Sequence, residues 1–226
     1  MNDDSFSRPA MAGVSTSAMR ATSSARRLSV VRQPAGVGDK RDLILKAATK
    51  VFARHGFFQS QVADVASVAG VAAGTVYLYF KGKDDLLVSI FERSMRDVLA
   101  EGRAAMAGVD GPAERLRRIA RLHLERLGRD KDLAVVFQVE LRHTVKFMER
   151  FSETFLQDYF ALIRAAIVDA QQQGVFRKDV SATTATKIFF GALDEMATNF
   201  VLSRRRHDLR AEADAVVDLF INGVKR

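Results

Sequence analysis

From residue 39 onward, apolar side chains recur every three or four positions, which is the spacing of an amphipathic α-helix. The first such segment ends at Gly56, and its inward positions are Ile44, Ala47, Ala48, Val51 and Phe52. No segment bounded by turn residues alternates apolar and polar side chains with the period of two that marks a half-buried strand. The pattern therefore predicts an all-α protein.

The breaks in this pattern predict nine helices. The second helix has Ser60 as its expected N-cap and ends at Gly70. A short third helix covers residues 72–79, and a turn at residues 81–84 leads into a fourth helix that reaches about Ala107. Five more helices follow, with approximate bounds 112–128, 132–144, 148–173, 181–205 and 209–221.

These helices divide the chain into a front domain of three helices, residues 39–82, and a bundle of six helices, residues 83–226. Residues 1–38 hold seven serines and two of the three prolines without an amphipathic period. Such a segment cannot bury enough apolar surface to offset its ordering entropy, so we expect a disordered basic tail. The alternatives for this segment are an organelle transit peptide, or a translation start at Met11 or Met19.

The composition excludes several classes of protein. None of the 226 residues is cysteine, which excludes a disulfide scaffold, a zinc finger and a thiol nucleophile. No apolar run reaches about 18 residues, so we expect no membrane span and a cytoplasmic location. The net charge is +8, and residues 39–82 carry six lysines and arginines against three aspartates. A positive front end indicates a polyanionic partner.

The strongest local signal lies between residues 62 and 80. Two helices that cross steeply need a small residue at their contact, which Ala66 supplies, and a turn residue that tolerates positive φ, which Gly70 supplies. Val65, Val71 and Val76 are spaced to bury the two helices against each other. This is the pattern of a helix-turn-helix, whose second helix enters the major groove of DNA.

The same stretch resembles the TetR family of transcriptional regulators. The residues that carry the resemblance are Ala69–Gly70–Val71, Gly74–Thr75–Val76–Tyr77–Leu78–Tyr79–Phe80, Lys83 and Leu86. The resemblance implies a homodimer that binds a pseudo-palindromic operator and releases it when a small molecule binds the bundle. Ala72 departs from the pattern, because the family often has serine there, and alanine removes a helix cap.

The expected DNA contacts lie in and around this motif. The start of the recognition helix can approach phosphate or base, two tyrosines can bond phosphate, and a lysine at a helix N-terminus favours an anion. The predicted contacts are Ser60, Gln61, Gly74, Thr75, Tyr77, Tyr79 and Lys83. Packing is the alternative for Gly74 and Tyr79. Residues 72–79 include no arginine, so the commonest guanine contact is missing from this helix.

Residues 133–142, 190–195 and 59–62 resemble the fatty-acid-degradation regulators within the TetR family. This likeness implies that the bundle binds a long-chain acyl-CoA in an apolar tunnel, with cations near the phosphates, and that the protein represses fatty-acid degradation genes. The predicted ligand contacts are Phe137, Gln138, Arg142, Lys146 and Phe189. An ion pair of Arg142 with Glu140, Glu149 or Asp194 is the alternative, as is aromatic core packing.

The last two helices are apolar enough to pair with a second copy into a four-helix bundle. The predicted dimer residues are Ile188, Ala192, Met196, Val217 and Phe220. A two-fold dimer would place its recognition helices on half-sites roughly 34–36 Å apart.

An enzyme is not expected. Glu140 and His143 form half of a Glu-x-x-His di-iron motif, but the second half is absent, so no metal or cofactor is predicted. No glycine-rich phosphate loop or nucleophile elbow occurs either. Two alternatives to the acyl-CoA repressor remain: a TetR-type repressor for another hydrophobic ligand, and a ligand-independent DNA-packaging protein.

Overall fold

The computed structural model describes residues 37–143, 156–203 and 208–225, which belong to one compact unit. These ranges form nine α-helices, with an isolated β-bridge between Phe176 and Lys225 as their only extended pairing. The all-α prediction is confirmed. The predicted basic tail lies outside the described residues, apart from the two at its end that begin the first helix.

The front of the chain holds three helices, α1 (Val37–His55), α2 (Val62–Ala69) and α3 (Ala73–Tyr77). The long helix α4 (Lys83–Met106) leads away from them. The front core extends into the first turns of α4, where Leu86, Leu87, Ile90 and Phe91 are buried with the side chains of α1 to α3. The packing is therefore continuous across the boundary predicted at residues 82 and 83.

The bundle begins with α5 (Pro112–Arg129), whose proline stands at the first helical turn as predicted. Next come α6 (Lys131–Val135), α7 (Gln157–Gln172), α8 (Ala182–Leu202) and α9 (Glu212–Val224), with a 3-10 turn at Leu209–Ala211 before the last. The predicted start of the seventh helix, near Met148, lies outside the described residues.

The helix predicted for residues 132–144 changes its winding along its length. After α6 the chain continues as a π-helical turn at Val136–Glu140 and a 3-10 turn at Leu141–His143. Val136 and Leu141 belong to the front core, and Phe137 packs against both the front core and the bundle core. The π-helical turn therefore joins the two cores, and such turns are frequent at functional sites.

The cap predicted for α2 is wrong. Gln61 is the N-cap, and its backbone N–H donates to the Asp64 carboxylate at 2.7 Å. The Ser60 hydroxyl instead donates to the Gly56 carbonyl at 2.6 Å, and Ser60 is only 2% exposed. The chain turns at Gly56, where φ is 78°, and this turn carries Ser60 inward.

Candidate DNA-binding surface and ligand cavity

The turn between α2 and α3 has the geometry that the sequence predicts. Gly70 is left-handed, with φ 66° and ψ 34°. The next backbone N–H, that of Val71, donates to the Ala66 carbonyl at 3.0 Å, which closes the end of α2. Val65 and Val76 are fully buried between the helices. The helix-turn-helix is therefore built from local turn chemistry and one apolar contact.

One surface of this motif faces outward. Gln61 and Gly74 are exposed, the Tyr77 side chain is 58% exposed, and Thr75 and Tyr79 are half-buried. A Cβ atom built on Gly74 would meet nothing within 4 Å, so no packing contact requires glycine there. A glycine without such a neighbour permits close approach of a partner to the backbone. Ala72 is the N-cap of α3 and makes no side-chain cap bond, as its departure from serine predicts.

Two of the predicted DNA contacts need correction. The Lys83 ammonium donates to the carbonyls of Phe57, Phe58 and Ser60 at 3.1, 3.0 and 3.4 Å, and it lies 4.8 Å from the centre of the Phe57 ring. These bonds use all three of its donors. Lys83 therefore fastens the loop before α2 to the start of α4. The buried Ser60 hydroxyl is likewise directed into the protein.

A cavity opens within the bundle, bordered by α4, α5, the π-helical turn, α7 and α8. It is partly open to solvent, and a concave, mostly apolar shape of this kind is typical of small-molecule sites. Its apolar lining includes Met95, Val98, Leu127, Phe137, Leu141 and Phe190. Such a lining suits an alkyl chain.

Three of the five predicted ligand residues, Phe137, Gln138 and Arg142, line this cavity. Phe189 does not, because its ring is fully buried and lies 4.9 Å from the ring of Phe220. Its neighbour Phe190 lines the cavity instead, since one residue turns the side chain by about 100° around a helix. Lys146 lies outside the described residues.

A polar group closes one side of the cavity. The Asp194 carboxylate accepts two contacts from Arg142, at 2.6 and 2.7 Å, and one from the Gln138 amide at 3.2 Å. The Thr198 hydroxyl donates to the Gln138 carbonyl oxygen at 3.0 Å. The ion pair that the sequence left as an alternative for Arg142 therefore exists, with Asp194 as the partner. It places a cation and an anion together at a partly exposed position.

Glu140 links the cavity wall to the front domain. Its buried carboxylate accepts a hydrogen bond of 2.7 Å from the backbone N–H of Phe57, in the corner between α1 and α2. A Cβ atom on Gly56 would stand 3.9 Å from both carboxylate oxygens, so the corner packs closely around this group. This role of Glu140 was not predicted from the sequence. Its signal was a carboxylate between Val139 and Leu141 in an apolar run.

His123 is a second residue that the sequence did not single out. Its Nδ1 lies 3.0 Å from the Tyr159 hydroxyl, and both side chains line the cavity. Burial lowers the pKa of His123 to about 4, against a smaller opposing effect of Asp194. Burial also raises the pKa of Tyr159. Both groups are therefore neutral at pH 7, and they form a polar pair within an apolar wall.

The predicted dimer residues divide between surface and core. Ile188 is 58% exposed, while Ala192 and Met196 are half-buried. Val217 and Phe220 are buried in the bundle of the single chain, so their assignment to a dimer surface is wrong. On the same helix Leu219 is 77% exposed. The inward face of α9 is covered by its own bundle, which leaves Leu219 on the outward face.

Among the described residues, no helix is both long and apolar enough to cross a membrane. In the same ranges, no three metal-ligating side chains come together in a group that could hold an ion.

Two protein-family models match the chain, one at its front and one over the bundle. Residues 44–90 match the model of the bacterial regulatory proteins of the TetR family, and residues 91–223 match that of the C-terminal region of YsiA-like proteins. The fatty acid metabolism regulator protein of Bacillus subtilis (strain 168) is 32% identical over 181 residues, which are 80% of this chain and 93% of that protein.

Two solved structures have the same fold. The fatty acid degradation regulator FadR from Bacillus halodurans superposes with a TM-score of 0.79 at 33% identity, covering 86% of this chain and all of the other. FadR from Bacillus subtilis, solved in complex with stearoyl-CoA, superposes with a TM-score of 0.77 at 32% identity, covering 81% of this chain and 98% of the other. The chain therefore belongs to the TetR family of DNA-binding transcriptional regulators.

Proposed function

We propose that this protein is a homodimeric repressor of fatty-acid degradation genes that leaves its operator when a long-chain acyl-CoA binds the bundle. The observation that carries the proposal is the largely apolar cavity within the bundle. It lies in a chain that is 32% identical to a regulator solved with stearoyl-CoA. Burial of each CH₂ group of an alkyl chain is favourable by about 0.8 kcal/mol, so a long acyl chain would bind such a cavity well.

The polar side of the cavity suits the CoA end of the ligand. Arg142 is partly exposed, and its present partner Asp194 is a single carboxylate. A phosphate offers more acceptor oxygens and more charge to a guanidinium, so it can compete with Asp194 for Arg142. Lys146 follows one turn later in sequence and is proposed as a second phosphate contact.

On the DNA side, the proposed contacts are the outward residues Gln61, Gly74, Thr75, Tyr77 and Tyr79. The tyrosine hydroxyls and the backbone at Gly74 would position the recognition helix on phosphates. Residues 39–82, the proposed DNA-binding domain, carry a surplus of lysine and arginine that would add affinity of the salt-dependent kind.

Release requires that the ligand favour a second arrangement of the front domain. Two side chains of the proposed ligand domain, residues 83–226, bind the corner before α2: the Glu140 carboxylate accepts from the Phe57 N–H, and the Lys83 ammonium donates to three carbonyls. An acyl chain against Phe137 and Leu141 would displace the segment that carries Glu140. The corner would follow and reorient α2 and α3. A coupling of about 3 kcal/mol would weaken DNA binding about 150-fold.

The test is fluorescence anisotropy of the purified protein on DNA from upstream of its own gene, with and without palmitoyl-CoA. We expect tight binding to that DNA, weak binding to a scrambled sequence, and loss of the specific complex at micromolar ligand. Specific binding that ignores palmitoyl-CoA would favour a repressor for another hydrophobic ligand. Equal binding to both DNAs, with equal salt dependence, would favour the packaging alternative.

A further inference from the structure

Within the part of the chain that the structure describes, only one of the two His123 ring nitrogens has a hydrogen-bond partner. Nδ1 is 3.0 Å from the Tyr159 hydroxyl, whereas Nε2 is buried and has no partner among the described residues. A buried polar atom without a partner is rare in a folded protein and calls for an explanation. Here the ring also lines the ligand cavity.

The tautomer follows from the tyrosine. The Tyr159 hydroxyl is buried, and Nδ1 of His123 is the acceptor that the described residues place within its reach. If the hydroxyl donates to Nδ1, a neutral imidazole must carry its hydrogen on Nε2. The burial that lowers the pKa of His123 to about 4 keeps the ring neutral at pH 7. Nε2 is therefore a donor that lacks an acceptor.

A second donor of this kind lies one turn along the same face of α5. Arg126 uses its terminal nitrogens on Glu101 and Asp97, at 2.9 and 3.1 Å, but its Nε is buried and has no partner among the described residues. Arg126 also lines the cavity. The α5 wall of the cavity thus carries two donors, on His123 and Arg126, that have no acceptor among the described residues.

We propose that the Nε2–H group of His123 is a polar subsite that binds the acyl carbonyl oxygen of the ligand, with Arg126 as the neighbouring donor. The subsite rests on the proposed function, because it needs an acyl ligand in the cavity. Because Nε2 is buried, the side chains beside it must move when the acyl chain enters the cavity. Met95 lines the same cavity, and its flexible side chain can change rotamer to make room. A carbonyl then satisfies a donor that a pure hydrocarbon would leave unpaired.

The test compares palmitoyl-CoA with S-hexadecyl-CoA, a thioether of the same chain length and head group that lacks the carbonyl oxygen. Isothermal titration calorimetry on the full chain should show at least about tenfold tighter binding of the thioester, or about 1.4 kcal/mol. In His123→Phe the two ligands should bind within about threefold of each other. The matched control, His55→Phe, makes the same substitution at an exposed histidine that does not line the cavity, and it should leave the preference intact.

Several results would overturn the subsite. Equal affinity of the wild-type protein for thioester and thioether would do so without a variant, even if His123→Phe failed to fold, and would leave the acyl-CoA repressor standing. A thioester preference that survives in His123→Phe would also exclude this role for His123. Binding of neither ligand would overturn the proposed function and the subsite together.

A parallel titration uses palmitate. If palmitate bound more tightly than palmitoyl-CoA, and this advantage were lost in His123→Phe, the subsite would bind a free carboxyl group instead of an acyl carbonyl.

Discussion

At the residue scale, His123 shows how burial changes the chemistry of a side chain. In water an imidazole gains a proton near pH 6.5, but in this protein the apolar wall resists the charge, and its pKa falls to about 4. The Tyr159 hydroxyl lies within hydrogen-bond distance of the imidazole, but it is neutral and does not stabilise a positive charge there. A neutral histidine in this position can donate a hydrogen bond without attracting anions into the cavity.

The depressed pKa of His123 predicts a pH dependence of stability. Above pH 6.5 the imidazole is neutral in both folded and unfolded chains, so its contribution is constant. Between pH 6.5 and about 4 the unfolded chain binds the proton and the folded chain does not. The free energy of unfolding should therefore fall on acidification through this window, by at most about 1.4 kcal/mol per pH unit from this group.

Urea unfolding at pH 7, 6, 5 and 4.5 measures this slope. His123→Gln should make it shallower, because glutamine does not titrate. His55→Gln serves as the matched control, since His55 is exposed, and it should leave the slope as in the wild type. Identical slopes in all three proteins would show that His123 does not resist protonation.

At the scale of elements, the π-helical turn Val136–Glu140 contacts both the cavity and the core of the front helices. Its wide winding lets neighbouring residues serve different partners: Phe137 and Gln138 line the cavity, and the Glu140 carboxylate reaches the Phe57 N–H. Without a hydrogen-bond donor from the front helices, a carboxylate buried at position 140 would destabilise the protein.

Replacement of Glu140 tests this connection. Glu140→Met keeps the volume but removes the carboxylate that accepts from the Phe57 N–H, which should cost about 1–3 kcal/mol of stability and loosen the corner before α2. Operator affinity should fall by more than stability alone explains. Glu140→Gln retains an acceptor oxygen and should lie close to the wild type. The exposed Glu195→Gln on α8 is the control. Unchanged operator affinity in Glu140→Met would remove Glu140 from the connection.

The helix α3 has only five residues, and Val76 is the one of them that is buried. Val76 anchors it in the front core, while Tyr77 projects outward. Tyr77→Ala should therefore weaken operator binding about tenfold through a lost phosphate contact, with little change in thermal stability. Arg96→Ala, an exposed change on α4, is the control for anisotropy. Wild-type affinity in Tyr77→Ala would mean that this tyrosine does not contact DNA.

At the scale of the whole molecule, α8 and α9 each have a face covered by the bundle and a face that is not. Phe220 packs inward, with its ring 6.4 Å from that of Phe176, whereas Ile188 and Leu219 project from the outward faces. Apolar surface on neighbouring helices that the chain itself leaves uncovered can be buried against another protein. A second copy of the chain is the proposed partner.

Charge on these outward faces should therefore break the dimer without unfolding the chain. Ile188→Glu combined with Leu219→Glu should elute as a folded monomer in chromatography with light scattering, because a buried unpaired carboxylate opposes association. Leu78→Glu places the same charge on an equally exposed leucine of the DNA-binding domain and should remain dimeric. Phe220→Glu, by contrast, should lower the thermal stability of the chain itself. A dimeric double variant would locate the interface elsewhere.

Much of the molecule follows from its sequence, because the relevant physics is local. Helical periodicity specifies an all-α chain, Gly70 specifies the turn of the helix-turn-helix, and Pro112 specifies the start of α5. Polar residues beside aromatic ones in residues 133–142 point to the cavity wall, where Phe137 and Gln138 lie. Each of these inferences needs only neighbours within one or two helical turns.

Only the tertiary structure decides which face of an apolar helix turns toward which neighbour. Phe189 and Phe190 are equivalent in sequence, yet the first is core and the second lines the cavity, because α8 packs on two sides at once. By its position at a helix N-terminus, Lys83 is predicted to bind an anion. In the structure its ammonium group instead donates to three backbone carbonyls of a loop that lies 23 to 26 residues earlier in the chain. The bond from Phe57 to Glu140 spans 83 residues, and no local pattern encodes a contact that forms only when distant segments meet.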